Sequence, residues 1–293
     1  MDAGQRIERA LDNAVAHAEA PGAPPRLAEA IRYAVFPGGH RIRPRLCLSV
    51  ARACGDDDPA AVDAAAAAIE LLHCASLVHD DLPCFDDAPM RRQKPSVHAA
   101  YGEPLAVLTG DALIVLAFET LARGTARNPS RLAALVGLVA RAVGSPNGIV
   151  AGQAWESELT VGLTEYQQAK TGALFAAATV TGAAAAGTPP LPWRLLGECL
   201  GEAYQVADDL SDVACRQEEI GKPVGRDATL GRPNAAALLG FSGALARLKH
   251  LVAEAVEVIP PCPGAEILRA EIVAQTRLFL PPSLATEKLH AFA

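Results

Sequence analysis

The chain has 293 residues and a formal net charge of −7, with hydrophobic residues at 51% but aromatic ones at only 4%. This acidic balance leaves no broad cationic surface for nucleic-acid phosphates and argues against a nucleic-acid partner. The hydrophobic excess is Ala and Leu, good helix formers, rather than the branched and aromatic side chains that strands favour. An all-α protein is therefore expected, folded as a single all-helical domain over residues 1–293.

The segment from Met1 to Ala20 carries charges throughout and predicts a first helix rather than a leader peptide. Breaks at Pro21–Pro25 and Phe36–Gly39 follow, the second opening into the basic run Gly38-Gly39-His40-Arg41-Ile42-Arg43. From Ala60 to Leu82 the chain is Ala-rich with few polar interruptions, long enough for about six helical turns. Such a helix is buried on most sides. At its end stands an acidic cluster, His79-Asp80-Asp81-Leu82-Pro83-Cys84-Phe85-Asp86-Asp87, and Pro83 stops the helix nearby. Asp80 and Asp81 then occupy the last turn, where the helix dipole disfavours carboxylates, so a positive charge must compensate. Arg91 and Arg92 follow. His73 lies seven residues before Asp80, about two turns, and shares its face.

Further along come Gly110-Asp111-Ala112-Leu113, then Gly152-Gln153-Ala154-Trp155-Glu156-Ser157-Glu158, then Lys170-Thr171-Gly172-Ala173-Leu174-Phe175. The longest uncharged stretch, Gly172 to Trp193, is largely Ala, Gly, Thr and Pro, weaker than the roughly 20 strongly apolar residues of a membrane span. A second cluster, Asp208-Asp209-Leu210-Ser211-Asp212, has Asp208 and Asp212 one turn apart on one helix face, with Gln205 before it and Lys222 after. Gly221 to Asn234, with Lys222, Arg226 and Arg232, is suited to a lid. Seven scattered cysteines, never spaced as CxxC, fit small core residues in a reducing compartment. A cytoplasmic protein that is not integral to a membrane is expected. Nucleotide-binding glycine turns and a nucleophile elbow are missing.

One Asp pair alone reads as a solvated helix end. Two clusters, each interrupting an apolar helix and each with basic or amide companions, read differently. Magnesium prefers carboxylate and phosphate oxygens, so two facing clusters would hold a diphosphate through bridging metals.

At these residues the sequence resembles the isoprenyl diphosphate synthases, most closely the bacterial and plant geranylgeranyl diphosphate synthases. The likeness covers nearly the whole chain: the longer form of the first aspartate motif, DDLPCFD followed by DAPMRRQKPSVH, the segment AYQVADDLSD, and GDAL, GQAWESE and KTGALF between them. It implies a helical bundle around a central cavity, working as a homodimer. The substrates it implies are isopentenyl diphosphate and an allylic diphosphate, joined with the help of three magnesium ions. Asp80, Asp86, Asp208 and Asp212 would coordinate the metals, and Arg91, Lys170 and Lys222 would bind the allylic diphosphate. His40, Arg43, His73 and Arg92 match positions that hold isopentenyl diphosphate; Arg232 joins the substrate-binding set. Lys170, Thr171 and Gln205 would serve catalysis, the last two lying beside the developing cation.

The resemblance also implies that Ala75 and Ser76, both small, leave the growing-chain tunnel open, since aromatics there stop elongation at fifteen carbons. Geranylgeranyl diphosphate is the expected product and farnesyl diphosphate the alternative. There are departures from the family pattern. His40 stands where a lysine is usual, which weakens isopentenyl diphosphate binding unless Arg41 and Arg43 offset it. Gln93 replaces a usual glycine, and Arg226 and Arg232 replace lysines. A terpene cyclase is disfavoured by the intact second motif. A metal phosphohydrolase built on His79-Asp80 leaves Lys170 and Gln205 unexplained, and a non-catalytic partner subunit of a heteromeric synthase would be expected to lack motif aspartates.

Overall fold

The computed structural model describes residues 2–158, 162–214 and 235–279. Lys222, Arg226 and Arg232, with the expected lid, lie outside the described residues. The chain separates into two compact units, one of Met1–Ala140 with Val180–Pro190, the other of Arg141–Thr179 with Leu191–Ala293.

The first unit is built from α1 (Ala3–Ala18), α2 (Pro25–Val35), α3 (Ile42–Cys54), α4 (Pro59–Asp80), α5 (Val97–Tyr101) and α6 (Glu103–Gly124), with most of α7 (Leu132–Val143). Helix α1 begins in a capping box, Asp2 accepting from the Gln5 amide and Gln5 from the Asp2 amide, and buries Ile7, Leu11, Ala14 and Val15 at helical spacing. Asp58 caps α4, with Pro59 at its first position. As the sequence predicts, α4 is buried on most sides. Its alanines let α6 lie close along it: a Cβ at Gly124 would fall 2.2 Å from that of Ala64.

The second unit contains α8 (Ile149–Ala154), α9 (Leu163–Gln167), a π-turn (Gln168–Gly172), the start of α10 (Ala173–Ala185), α11 (Arg194–Ala214), α12 (Ala235–Glu257) and α13 (Ala265–Thr276). Phe175, Tyr204 and Phe279 pack ring against ring, and Trp193 is buried.

Among the described residues the β structure is one hairpin, Met90–Arg91 against Lys94–Pro95. Strands of two residues carry no alternation to read in a sequence, which is why none was expected. The uncharged stretch from Gly172 becomes α10 and the turn after it. Among the described residues three helices, α4, α6 and α12, are long and apolar enough to cross a membrane, and α4 is mostly buried inside the protein.

Candidate active site

In the first unit α4 ends at Asp80, and the chain turns back so that the Asp86 amide donates to the Asp80 carbonyl at 2.9 Å. Both acidic side chains that the sequence singles out are thereby brought together, half-buried, at one helix end. Asp81 behaves differently. It is 2% exposed, and Arg91 forks onto it, Nε lying 3.0 Å from Oδ1, while Asp80 Oδ2 stands 4.0 Å from Arg91 Nη2. Here is the positive charge the helix end requires. Burial pushes the Asp81 carboxyl above the usual carboxylate range against the pull of Arg91. Burial likewise opposes the Arg91 charge, but Asp81, Asp80 and Asp86 outweigh it and hold its pKa up.

The hairpin places Arg91 and Arg92. Its two turn residues, Arg92 and Gln93, have φ of 52° and 63°, the left-handed pair of a type I′ turn. This explains why glycine suits the position of Gln93. The hairpin is pinned from α2: Lys94 Nζ donates to the Tyr33 and Phe36 carbonyls over the Tyr33 ring, and Tyr33 Oη donates to the Pro95 carbonyl at 2.8 Å. Burial, with Arg92 beside it, pushes the Lys94 pKa down.

Half-buried on α4, His73 is held well below the usual imidazole range by burial and by the charges of Arg43, Arg92, Arg91 and Arg41. Three of the residues expected to hold one diphosphate, Arg43, His73 and Arg92, therefore share an electrostatic environment. Exposed His40 stands at the head of α3. Arg41 does not fill the role expected of it. It is buried, bonded to Glu8 at 2.8 Å, Glu70 at 2.7 Å and the Val35 carbonyl at 2.8 Å, with Gly38 so close that a Cβ would lie 2.0 Å from its guanidinium carbon. Arg41 is committed to these acids rather than held out in the place of the lysine that His40 replaces.

Of the chain-length candidates, Ala75 is buried and Ser76 is half-buried, its hydroxyl donating to the His73 carbonyl at 2.8 Å. His79 crosses α6, Nε2 lying 3.2 Å from the Val107 carbonyl above Gly110, where a Cβ would fall 2.0 Å from the ring nitrogen. The glycine of GDAL is explained by that crossing.

In the second unit Lys170 and Thr171 sit on the π-turn, an irregularity frequent at functional sites. Gly152 of GQAWESE permits it: a Cβ there would lie 2.4 Å from the Lys170 amide nitrogen. Glu156 of the same motif binds Lys170 and accepts from Tyr166 Oη at 2.6 Å and Gln153 Nε2 at 2.9 Å. Helix α11 lies against α10 and the turn through Gly197 and Gly201, whose added Cβ atoms would meet Ala176 Cα at 2.5 Å and Gly172 Cα at 2.8 Å. One turn further, Gln205 reaches Thr171, whose hydroxyl donates to its Oε1 at 3.0 Å. Asp208 and Asp212 are half-buried on this helix. Buried between them in sequence, Asp209 accepts from Gln205 Nε2 at 2.9 Å and from the Ala235 amide at 2.7 Å.

Sequence reasoning gave Asp81, Asp209, Glu156 and Glu70 no separate roles. Glu156 and the glycines stand in motifs visible from sequence; the inward turn of Asp81 and Asp209 leaves no such mark. Among the described residues no three Asp, Glu, His or Cys side chains group closely enough to hold a metal by themselves. The pairs Asp80/Asp86 and Asp208/Asp212 still suit magnesium, which takes one or two carboxylates plus substrate phosphates and water.

The all-helical fold is that of the isoprenyl synthases, and solved structures match it over nearly its full length. An FPP/GFPP synthase from Zymomonas mobilis superposes with a TM-score of 0.78 at 33% identity, over 92% of this chain and 95% of that one. A geranyltransferase from Helicobacter pylori, complexed with magnesium and isoprenyl diphosphate, gives 0.76 at 28% identity, over 92% and 95%. Residues 24–258 match the polyprenyl synthetase family model. A geranylgeranyl diphosphate synthase of Cereibacter sphaeroides is 58% identical over 92% of this chain and 93% of its own length, and one of Rhodobacter capsulatus is 54% identical over 90% and 91%. The chain belongs to the polyprenyl synthetase family.

Proposed function

We propose that this chain is a trans-prenyltransferase that condenses isopentenyl diphosphate with an allylic diphosphate and releases geranylgeranyl diphosphate, its two units acting as one catalytic domain. The observation that carries the reading is the paired arrangement of carboxylates. In both motifs one aspartate is half-presented while its neighbour is buried and bonded to an arginine or an amide. The likeness to two geranylgeranyl diphosphate synthases above 50% identity supports the product.

Asp80, Asp86, Asp208 and Asp212 would hold three magnesium ions, which when bound neutralise charge on the departing diphosphate. Arg91, Lys170 and Lys222 bind that diphosphate directly, with Arg91 already fixed on Asp81 and Lys170 on Glu156. Arg43, His73 and Arg92 bind isopentenyl diphosphate, with His40 and Arg232 assisting. Neutral His73 can donate a hydrogen bond to the diphosphate without adding to the crowd of arginine charges. The allylic carbon–oxygen bond breaks, the cation takes up the isopentenyl double bond, and the departed diphosphate accepts the proton. Thr171 and Gln205 offer oxygen dipoles to the positive charge. No side-chain base is needed.

A homodimer in the cytoplasm is part of the proposal. Val107, Leu108 and Val115 are exposed on α6 and supply an apolar face for a second copy.

The test is incubation of the pure protein with labelled isopentenyl diphosphate and each allylic primer, with and without magnesium. Magnesium-dependent twenty-carbon product is expected. A fifteen-carbon product identifies a farnesyl diphosphate synthase, and no incorporation with any primer favours the non-catalytic partner subunit. Ala75→Tyr should shift product toward fifteen carbons, and unchanged length would remove Ala75 from the chain-length role.

A further inference from the structure

Asp209 is 1% exposed in the C-terminal part of α11, and both its carboxylate oxygens are engaged: Oδ1 by Gln205 Nε2 at 2.9 Å, Oδ2 by the Ala235 amide at the start of α12 at 2.7 Å. A carboxylate only accepts hydrogen bonds. The Gln205 side chain therefore has to present its NH2 to Asp209 and its oxygen the other way, where Thr171 Oγ1 donates to it at 3.0 Å. Without that carboxylate an amide has no reason to choose between its two faces, since a threonine hydroxyl both donates and accepts.

We infer that Asp209 is a positioning residue that locks the Gln205 amide with its oxygen, not its NH2, toward Thr171 and the reacting allyl group. The inference rests on the proposed prenyl transfer, in which Gln205 and Thr171 lie beside the cation. An amide oxygen carries partial negative charge and stabilises a carbocation; an amide NH2 in the same place opposes it. Placing that choice in a buried carboxylate one turn along the same helix lets the orientation be set before substrate arrives. It also assigns the two adjacent aspartates of the second motif different work, with Asp208 presented and Asp209 turned inward.

Asp209→Asn provides the test. The Ala235 amide still needs an acceptor, so the new side chain keeps its oxygen there and turns its NH2 to Gln205, which must then flip. The turnover number should fall on the order of 100-fold, while the Michaelis constants for both substrates and the magnesium concentration for half-maximal rate stay at wild-type values. Asp208→Asn should instead raise the magnesium requirement. Gln205→Glu alone sets two carboxylates against each other and should also lose activity. Combined, Asp209→Asn/Gln205→Glu restores an NH2-to-oxygen pair and leaves an oxygen on Thr171, so the double variant should outperform Gln205→Glu. This comparison holds even if Asp209→Asn by itself folds poorly. A double variant no better than Gln205→Glu overturns the inference, as does a rise in magnesium requirement for Asp209→Asn matching that of Asp208→Asn. If the wild-type protein itself transfers no prenyl group, it is the proposed function that fails; a wild-type enzyme whose turnover is unaffected by Asp209→Asn sinks this inference alone.

Discussion

The acidic cluster of the first unit starts at the last residues of α4 and runs on into the turn after it, whereas that of the second lies wholly within the last two described turns of α11, and their partners differ. At the end of α4 the dipole adds negative charge to the aspartates, and the compensation is a full cation, Arg91, brought in on a separate hairpin. On α11, Asp209 accepts from the neutral amide of Gln205 and from the backbone N–H of Ala235. The pattern beneath is shared. One aspartate of each adjacent pair is buried and bonded, and its neighbour is left half-exposed. A run of two aspartates is therefore a presented carboxylate together with an anchor.

The sharpest way to break that division is to neutralise the two members of the first pair one at a time. Asp80→Asn, like Asp208→Asn, should lower the turnover number by about 10³-fold with little change in melting temperature. Asp81→Asn removes the nearest of the carboxylates around Arg91 while Asp80 and Asp86 remain, and losing a hydrogen bond to a charged group in this way costs about 1.5–3 kcal/mol, read as a lower denaturation midpoint. If Asp81→Asn leaves stability intact and removes activity as Asp80→Asn does, the two residues are equivalent and the comparison is wrong.

The second unit relies on close helix contact, so a single methyl group probes it. Gly201→Ala places a Cβ 2.8 Å from Gly172 Cα, backbone against backbone, and overpacking of this kind costs about 1–3 kcal/mol. Because Gln205 is one turn further along, its separation from Thr171 should lower turnover as well. Loss of stability with turnover unchanged would show that the Thr171–Gln205 contact is not set by this packing.

How much was legible beforehand follows from the same contrast. The all-α fold, the long buried α4 and the family could be read from composition, Pro and Gly punctuation and ordered motifs, because each leaves a periodic or fixed-spacing mark. Asp81 and Asp209 could not be told from Asp80 and Asp208, since adjacent residues on a helix differ only in which way they face. That depends on tertiary neighbours. Arg41 misled for a related reason: beside Gly38-Gly39 it looks like a second phosphate ligand, but Glu70, far away in sequence, claims it. The glycines of GDAL and GQAWESE were visible as motif letters, yet their purpose, room for His79 and for the Lys170 backbone, needed coordinates.

Titration of His73 gives a milder test of the first unit's crowded cations. Its folded pKa lies well below the ordinary imidazole value of about 6.5, through burial first and the neighbouring arginines next. In that interval the unfolded chain binds the extra proton, so stability rises with pH up to about 6.5 and falls as pH drops toward the folded pKa. His73→Gln should flatten this part of the curve in denaturant titrations at a series of pH values. An unchanged slope would mean that His73 titrates in the folded protein as it does in the unfolded chain.

The smallest expected effect comes from the hairpin, for which the second cluster has no counterpart. Gln93 holds a φ of 63°, in a region where a side chain costs about 1–2 kcal/mol. Glycine would relieve that, but it also loosens the unfolded chain by roughly 0.4–1 kcal/mol, so the net stabilisation by Gln93→Gly should fall between about 0 and 1.6 kcal/mol. Asparagine, which tolerates the left-handed region without the same entropy loss, should do at least as well. Arg92 keeps its own φ of 52° in either variant, because the turn remains type I′ and Lys94 still pins the strand behind it. The Michaelis constant for isopentenyl diphosphate should therefore stay constant while the melting temperature rises. A rise in that constant would mean that Gln93, and not the turn alone, contributes to the grip on the substrate, and that the arginine-bearing hairpin is less self-sufficient than its contacts with α2 indicate.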